Sequence, residues 1–319
     1  MIFEPAGWLK KCGDLNPVKK ALMARWVILL YHNVSWENGP LTEYCTATCP
    51  PDLFREHMGV LAQRFRFVSI DEGIKACSSG SLKEDLVTVW FDDGLESVRT
   101  YAAPILAEHG AVGAISICSE FWSRRAHFWR FQLGYLHRVD GMRFLRSRMR
   151  KYGYNGKQNL KDFTLDRFSL DVAKEVGDCF SRFADESVIN RSHRLFDDVE
   201  GLLKLVDAGW SLTNHSTLHY PLGESTGIDL MTSEFNRCEQ AMKEDFGAGS
   251  PHLVIPFSRM SKHVPDLKDR FASAFPDHWL VLAGDRSNTE QNLSQKTIYR
   301  HSVPLIPGDR LLAWLDRRP

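Results

Sequence analysis

Leu86-Val87-Thr88-Val89-Trp90-Phe91-Asp92-Asp93-Gly94 is the stretch that decides the fold. An apolar run this short, closed by a turn signal, reads as a strand buried on both faces. Such strands belong to parallel sheets wrapped in helices, and there the polar residues at the strands' carboxyl ends form the active site. Asp92 and Asp93 stand at such an end.

Reading outward, similar runs recur at Val27–Tyr31, Phe67–Ile70, Gly113–Cys118, Trp210–Asn214, Leu253–Phe257, Trp279–Ala283 and Thr297–Val303. Between them lie helical patterns, at Leu53–Arg64, Ser97–His109, Asp197–Ala208 and Ser233–Phe246. Pro104 falls inside the second of these, where it removes a backbone donor and favours a kink. Strand alternating with helix predicts a parallel α/β architecture. Eight candidate strands over 319 residues predict a barrel, complete or incomplete. Residues 122–205 break the alternation and read as a helical insertion over the rim. Residues 1–25 read as an N-terminal extension and 26–319 as the barrel with its insertion.

Four polar motifs fall at predicted strand ends: Tyr31-His32, Asp92-Asp93, His215 and Pro256-Phe257. His215-Ser216-Thr217-Leu218-His219 places two imidazoles four residues apart, a spacing that one helical turn brings to one face. With Asp93 they make a three-ligand site for one divalent ion with open positions for water and substrate. Zinc suits this donor set best, although affinity alone does not select the metal. Asp92 is then placed to act as the general base. In an extended strand Asp92 and Asp93 face opposite ways, so both reach one site only if the backbone turns there, and Gly94 offers that freedom. A lone Asp-Asp-Gly is usually an ordinary turn, and a lone His-x-x-x-His is often two surface histidines. Their joint occurrence at two strand ends argues against both.

With these residues in place, the chain resembles the polysaccharide deacetylase superfamily, also called the NodB-homology or carbohydrate esterase 4 fold. Thr88-Val89-Trp90-Phe91-Asp92-Asp93-Gly94 is similar to its first motif, and His215 to His219 matches its His-Ser/Thr-x-x-His pattern. Leu30-Tyr31-His32-Asn33-Val34 resembles the N-terminal Tyr-His strand of a bacterial branch, and Arg66-Phe67-Val68-Ser69-Ile70-Asp71-Glu72 the segment that follows it. The resemblance implies a distorted (β/α)7 barrel and metal-dependent removal of an acyl group from an amino sugar. It implies Asp93, His215 and His219 as metal ligands, Asp92 as base, and the backbone N–H of Phe257 as a donor to the oxyanion.

Two departures stand out. The third motif of the family, Arg-x-Pro-Tyr/Phe-Gly, corresponds here to Val254-Ile255-Pro256-Phe257-Ser258, with Val254 in place of the base-orienting arginine and Arg259 out of register. The late Leu-x-x-His acid has no clean match. His32 and His301 are the two candidates, and His32 is preferred for its position at the rim. Phe128 and Trp129 fall where the branch carries aromatic residues over the site, either as a sugar-stacking platform or as packing. The cluster Arg143, Arg146, Arg148, Arg150 and Lys151 is either a phosphate- or membrane-contacting surface or a solvated helix face.

Composition sets the frame. Forty basic and forty acidic residues balance, which gives no argument for nucleic-acid binding. Seven scattered cysteines, with Cys45 and Cys49 the only close pair, fit free thiols better than a disulfide framework. No stretch is long enough for a transmembrane helix, and without the order of a signal peptide the expected location is the cytoplasm. The expected substrate is an N-acetylated amino sugar, as a cell-surface glycan precursor or glycoconjugate. A deacylase of a non-sugar or formyl amide and a catalytically decayed carbohydrate-binding protein are the alternatives.

Overall fold

The computed structural model describes residues 24–44, 48–80, 82–221, 227–258 and 267–318. Most of the 1–25 extension, and with it Cys12, lies outside the described residues, as do Cys45 and Arg259. Seven strands close into a parallel barrel: β1 (Trp26–Tyr31), β2 (Leu86–Phe91), β3 (Ala114–Ile117), β4 (Ser211–Asn214), β5 (His252–Val254), β6 (Trp279–Ala283) and β7 (Thr297–Ser302). Neighbours in sequence are neighbours in the ring. β1 and β2 pair along their full length, from Trp26↔Leu86 to Tyr31↔Phe91. β7 closes the ring on β1 through Leu29↔His301 and Leu30↔Ser302.

Alternation along the strands divides the core in two. Val27, Leu29, Val87, Val89 and Phe91 pack outward against Phe54, Met58, Leu61, Leu311 and Leu315 of the surrounding helices. Trp26, Ile28, Trp90, Val254, Val281 and Ile298 form a separate cluster that fills the barrel. Continuous apolar strands are therefore required, because each is covered on both faces.

The expected strand at Phe67–Ile70 shrinks to Arg66–Phe67, which pairs with the start of β2 outside the ring. Ser69 is the reason: its hydroxyl accepts the Glu72 N–H at 3.2 Å and caps a helix beginning at Ile70. The expected helix Ser97–His109 is also divided. Val98–Ala102 is π-helical, with the Ala103 N–H bonded to the Val98 carbonyl, and an α-helix follows at Ala103–Ala107. Pro104 is the second residue of that α-helix, directly after the π-helical turn, where the bonding register changes around its missing N–H.

Between β3 and β4 the chain runs through helices including Trp129–Arg138, Met142–Met149, Leu160–Asp166, Leu170–Phe183 and Glu186–Arg194. They share a core of their own around Phe121, Phe131, Val172, Phe180 and Phe196. Asn159, Ser169 and Asp185 each accept a backbone N–H at the start of one of these helices, which explains the abrupt starts in a mostly charged stretch. Of the described helices, none is long and apolar enough to cross a membrane. The described cysteines, Cys49, Cys77, Cys118, Cys179 and Cys238, are buried free thiols.

Gly73 packs against the barrel floor, and a Cβ placed there would lie 2.2 Å from the Trp26 indole. Gly73→Ala is expected to lower unfolding free energy by about 1–3 kcal/mol through overpacking. A urea midpoint unchanged from wild type would show that the floor can yield.

Candidate active site

β2 delivers Asp92 into the barrel mouth, where its carboxylate is buried. Arg300 of β7 reaches it with both terminal nitrogens, Nη1 to Oδ1 at 2.6 Å and Nη2 to Oδ2 at 3.0 Å. The Ser116 hydroxyl of β3 donates to Oδ1 at 2.7 Å. Ser116 in turn accepts from the Trp90 indole N–H at 2.7 Å, and the Thr213 hydroxyl lies 3.0 Å away. The guanidinium also lies over the Trp90 ring at 5.0 Å. Burial alone would raise the Asp92 carboxyl, but the charges of Arg300, His215 and His32 outweigh it and hold the group below the usual carboxylate range.

The guanidinium absent from Val254-Ile255-Pro256-Phe257-Ser258 is therefore supplied to Asp92 from another strand. Val254, at the expected position, is buried in the barrel interior. Arg300 was legible only as a charge in an otherwise strand-like run, Thr297-Ile298-Tyr299-Arg300-His301-Ser302. It is 1% exposed, and a charge so buried requires a partner. His301, one residue on, faces the other way. Its ring meets Trp314 edge-on at 6.4 Å, with Nδ1 4.0 Å from Asp285.

Asp93 turns the chain. It adopts φ +78°, and Gly94 follows at +74°, so the left-handed turn begins at the aspartate as well as at the glycine. The second histidine is positioned differently from the expected helical turn. Residues 215–219 form a loop in which Asn214 Oδ1 accepts the Ser216 N–H and Ser216 Oγ accepts the His219 N–H, each at 3.0 Å. Ser216 and His219 have φ +72° and +55°. The buried Glu234 holds the loop from below, accepting the Leu218 N–H at 2.9 Å, while its carbonyl accepts the Thr217 hydroxyl at 2.6 Å. Short polar side chains replace the helix here because each satisfies a backbone donor locally.

The result is one convergent donor set. His215 Nε2 and His219 Nε2 are 3.0 Å apart, and Asp93 Oδ1 lies 3.1 Å from the second and 3.8 Å from the first. His215 Nδ1 is 2.8 Å from the Val254 carbonyl, which can only accept, so Nδ1 carries the proton and Nε2 presents its lone pair. Burial pushes His215 down to about 4, which keeps the ring in the neutral, ligating form. Asp93 Oδ1 is buried and makes no well-aligned hydrogen bond despite its closeness to His219. Ligand atoms about 2.0–2.2 Å from a tetrahedral ion stand roughly 3.3–3.6 Å from one another. The observed separations bracket that range, so the residues present fit a divalent ion.

The other expected residues surround this set. His32 follows β1 and lies close enough for its charge to act on both Asp92 and Asp93. The Phe257 ring meets His219 edge-on at 4.8 Å, and Phe257 itself has φ +54°. Phe128 flanks His219 from another side at 4.7 Å. Trp129 is 3% exposed, with its indole N–H directed at the His219 carbonyl at 3.4 Å and its ring packed by Phe168, Phe257 and Arg130. Packed in this way it supports the loop of residues 215–219 and offers no open face for a sugar.

Comparison with known proteins agrees with the fold. No protein-family model and no curated protein matches the chain. Among solved structures, it is similar to the deacetylase PplD of Streptococcus pyogenes, solved with acetate, at 15% identity and TM-score 0.57, covering 91% of this chain and 97% of that one. IcaB of Ammonifex degensii gives 16% identity and TM-score 0.55 over 92% and 98% of the two chains. A de-N-acetylase of Aggregatibacter actinomycetemcomitans gives 13% and 0.55 over 89% and 96%. The chain therefore has the fold of solved polysaccharide deacetylases.

Removing Arg300 leaves Asp92 buried without its counter-charge. Arg300→Met is expected to cost about 3–5 kcal/mol of stability near neutral pH, and Asp92→Asn in the same chain to recover part of it. Because Asp92 titrates lower folded than unfolded, the contribution of the pair is complete above the unfolded value of about 3.9 and is lost as pH falls below it. The stability gap between wild type and Arg300→Met should thus narrow on acidification. Urea titrations showing a constant gap from neutral to acid pH would contradict this.

Proposed function

We propose that the chain is a metal-dependent de-N-acetylase of the polysaccharide deacetylase superfamily, acting on an N-acetylated amino sugar in a glycan precursor or glycoconjugate. The observation that carries this reading is the juxtaposition at His215, whose Nε2 is 3.8 Å from both Asp92 Oδ2 and Asp93 Oδ1. It places a proton acceptor held by Arg300 directly beside the three-residue donor set. The acetate bound in the PplD structure is the acid that hydrolysis of an acetamide would release.

Asp93, His215 and His219 would hold the ion, zinc being the best match to two imidazoles and a carboxylate. Bound there, the ion supplies Lewis acidity and lowers the pKa of water. Asp92 takes the proton of the attacking water. Its depressed pKa keeps it ionised and ready, and Arg300 and Ser116 fix the carboxylate plane. As the water oxygen bonds to the amide carbon, the backbone N–H of Phe257 donates to the developing oxyanion. His32 gives a proton to the departing nitrogen, so the C–N bond breaks to leave acetate and a free amine. With Trp129 buried, Trp36 becomes the candidate sugar platform. It is 58% exposed on the segment that follows His32 at the same barrel end.

Purified protein is expected to carry one divalent ion per chain and to release acetate from N-acetylglucosamine oligosaccharides. Asp93→Ala should lose the ion, and Asp92→Asn should keep it while turnover falls by about 10²–10⁴-fold. Wild-type protein without stoichiometric metal, or full activity in Asp92→Asn, would overturn the reading. Trp36→Ala should raise KM several-fold with kcat nearly unchanged, the mark of lost ground-state binding. A fall in kcat alone would remove Trp36 from the substrate path.

A further inference from the structure

The inserted helices carry a second polar feature, independent of the barrel mouth. Arg146 and Arg150 stand four residues apart on the helix Met142–Met149 and the single turn Arg150–Tyr152 that continues it. This spacing puts both on one face. The chain then reverses through Gly153 and Gly156, at φ +93° and +82°, where a side chain would be strained. Asn155 Oδ1 accepts the Lys157 N–H at 3.0 Å, and the Tyr154 hydroxyl donates to the Gln158 carbonyl at 3.2 Å, which fixes the returning loop. The Tyr154 ring is anchored edge-on against Phe163 at 5.0 Å. Lys157 is thereby brought opposite the two arginines across a cleft of about 830 Å³.

The ion pairs in this region are selective. Arg143 pairs with Asp140, and Arg148 and Lys151 both pair with Glu175. Among the described residues, Arg146, Arg150 and Lys157 pair with no carboxylate. Two acids lie on the following helix, and the amides of Asn159 and Gln158 donate to them: Asp162 at 2.5 Å and Asp166 at 3.1 Å. The paired cations, Arg143, Arg148 and Lys151, are not among the residues lining the cleft, while the three that line it are left for something else. Like charges at this helical spacing are mutually unfavourable, and an anion between them removes that cost.

We infer that this cleft is a binding site for a phosphoryl group, held by Arg146, Arg150 and Lys157. Planar guanidinium groups suit phosphate oxygens, and three cations match the charge of a phosphate ester better than that of a single carboxylate. The same chemistry is offered by a soluble phosphorylated ligand and by an anionic lipid headgroup.

Two assays separate these sources: calorimetric titration with inorganic pyrophosphate, and sedimentation with phosphatidylcholine vesicles with or without phosphatidylglycerol. Wild-type protein is expected to bind in at least one, more weakly as salt rises. Arg146→Gln with Arg150→Gln should weaken that binding by about tenfold or more, Lys157→Gln should weaken it independently, and Arg143→Gln, the same charge change outside the cleft, should leave it unaltered. Pyrophosphate binding identifies a soluble source, and binding confined to phosphatidylglycerol vesicles identifies a membrane source. No binding in either assay, or equal weakening by Arg143→Gln, would overturn the inference.

Discussion

A guanidinium and a carboxylate locked together in the mouth of the barrel set the terms for everything around them. Neither Asp92 nor Arg300 could be buried alone, since an unpaired charge in such surroundings costs several kcal/mol. Together they form a two-pronged pair, with the Ser116 hydroxyl on the carboxylate and the Trp90 face under the guanidinium. The pair fixes how β7 must register against its neighbours, because a shift of one residue would turn Arg300 outward and bring His301 in. It also ties one of the two adjacent aspartates to a cation. Asp92 is held by two bonds on Oδ1 and one on Oδ2, while Asp93, carried round by its left-handed turn, is the carboxylate that faces the two imidazoles.

The fold was legible because it rests on the most regular signal a chain can carry. Seven of the eight apolar runs became barrel strands, since burial on both faces favours apolar residues and admits only polar ones that find partners, as Ser116, Thr213 and Arg300 do. The eighth failed on a local competitor, the Ser69 cap, which a reading of apolar continuity does not weigh. The residues that converge at the barrel mouth were legible because Asp92-Asp93 and His215 to His219 are adjacent or nearly so in sequence. Arg300 was hidden because its partner is 208 positions away, and no local pattern records a pairing made only when a ring closes. The loop at His215 to His219 misled for a related reason. A spacing of four suggests a helical turn, yet Asn214, Ser216 and Glu234 hold the backbone donors by other means.

The aromatic residues of the insertion show how one region serves the other. Phe128 and Trp129 of the insertion, with Phe257 from the loop after β5, enclose His219 on several sides, and the Trp129 indole is directed at its backbone carbonyl. The insertion therefore does more than cover the rim. It dries and stiffens the surroundings of a residue whose own backbone lies in a sparsely populated conformation, which packing must enforce.

Placing the guanidinium on β7 has a bearing on the life of the chain before it is complete. Domains form as the polypeptide emerges, and β7 is the last barrel strand to leave the ribosome. Until it docks between β6 and β1, Asp92 lacks both its counter-charge and the strand that completes the wall around it. A nascent or truncated chain would thus hold the Asp93, His215 and His219 donor set beside an unpaired Asp92. Ring closure is at once the final step of barrel assembly and the step that brings the two charges together.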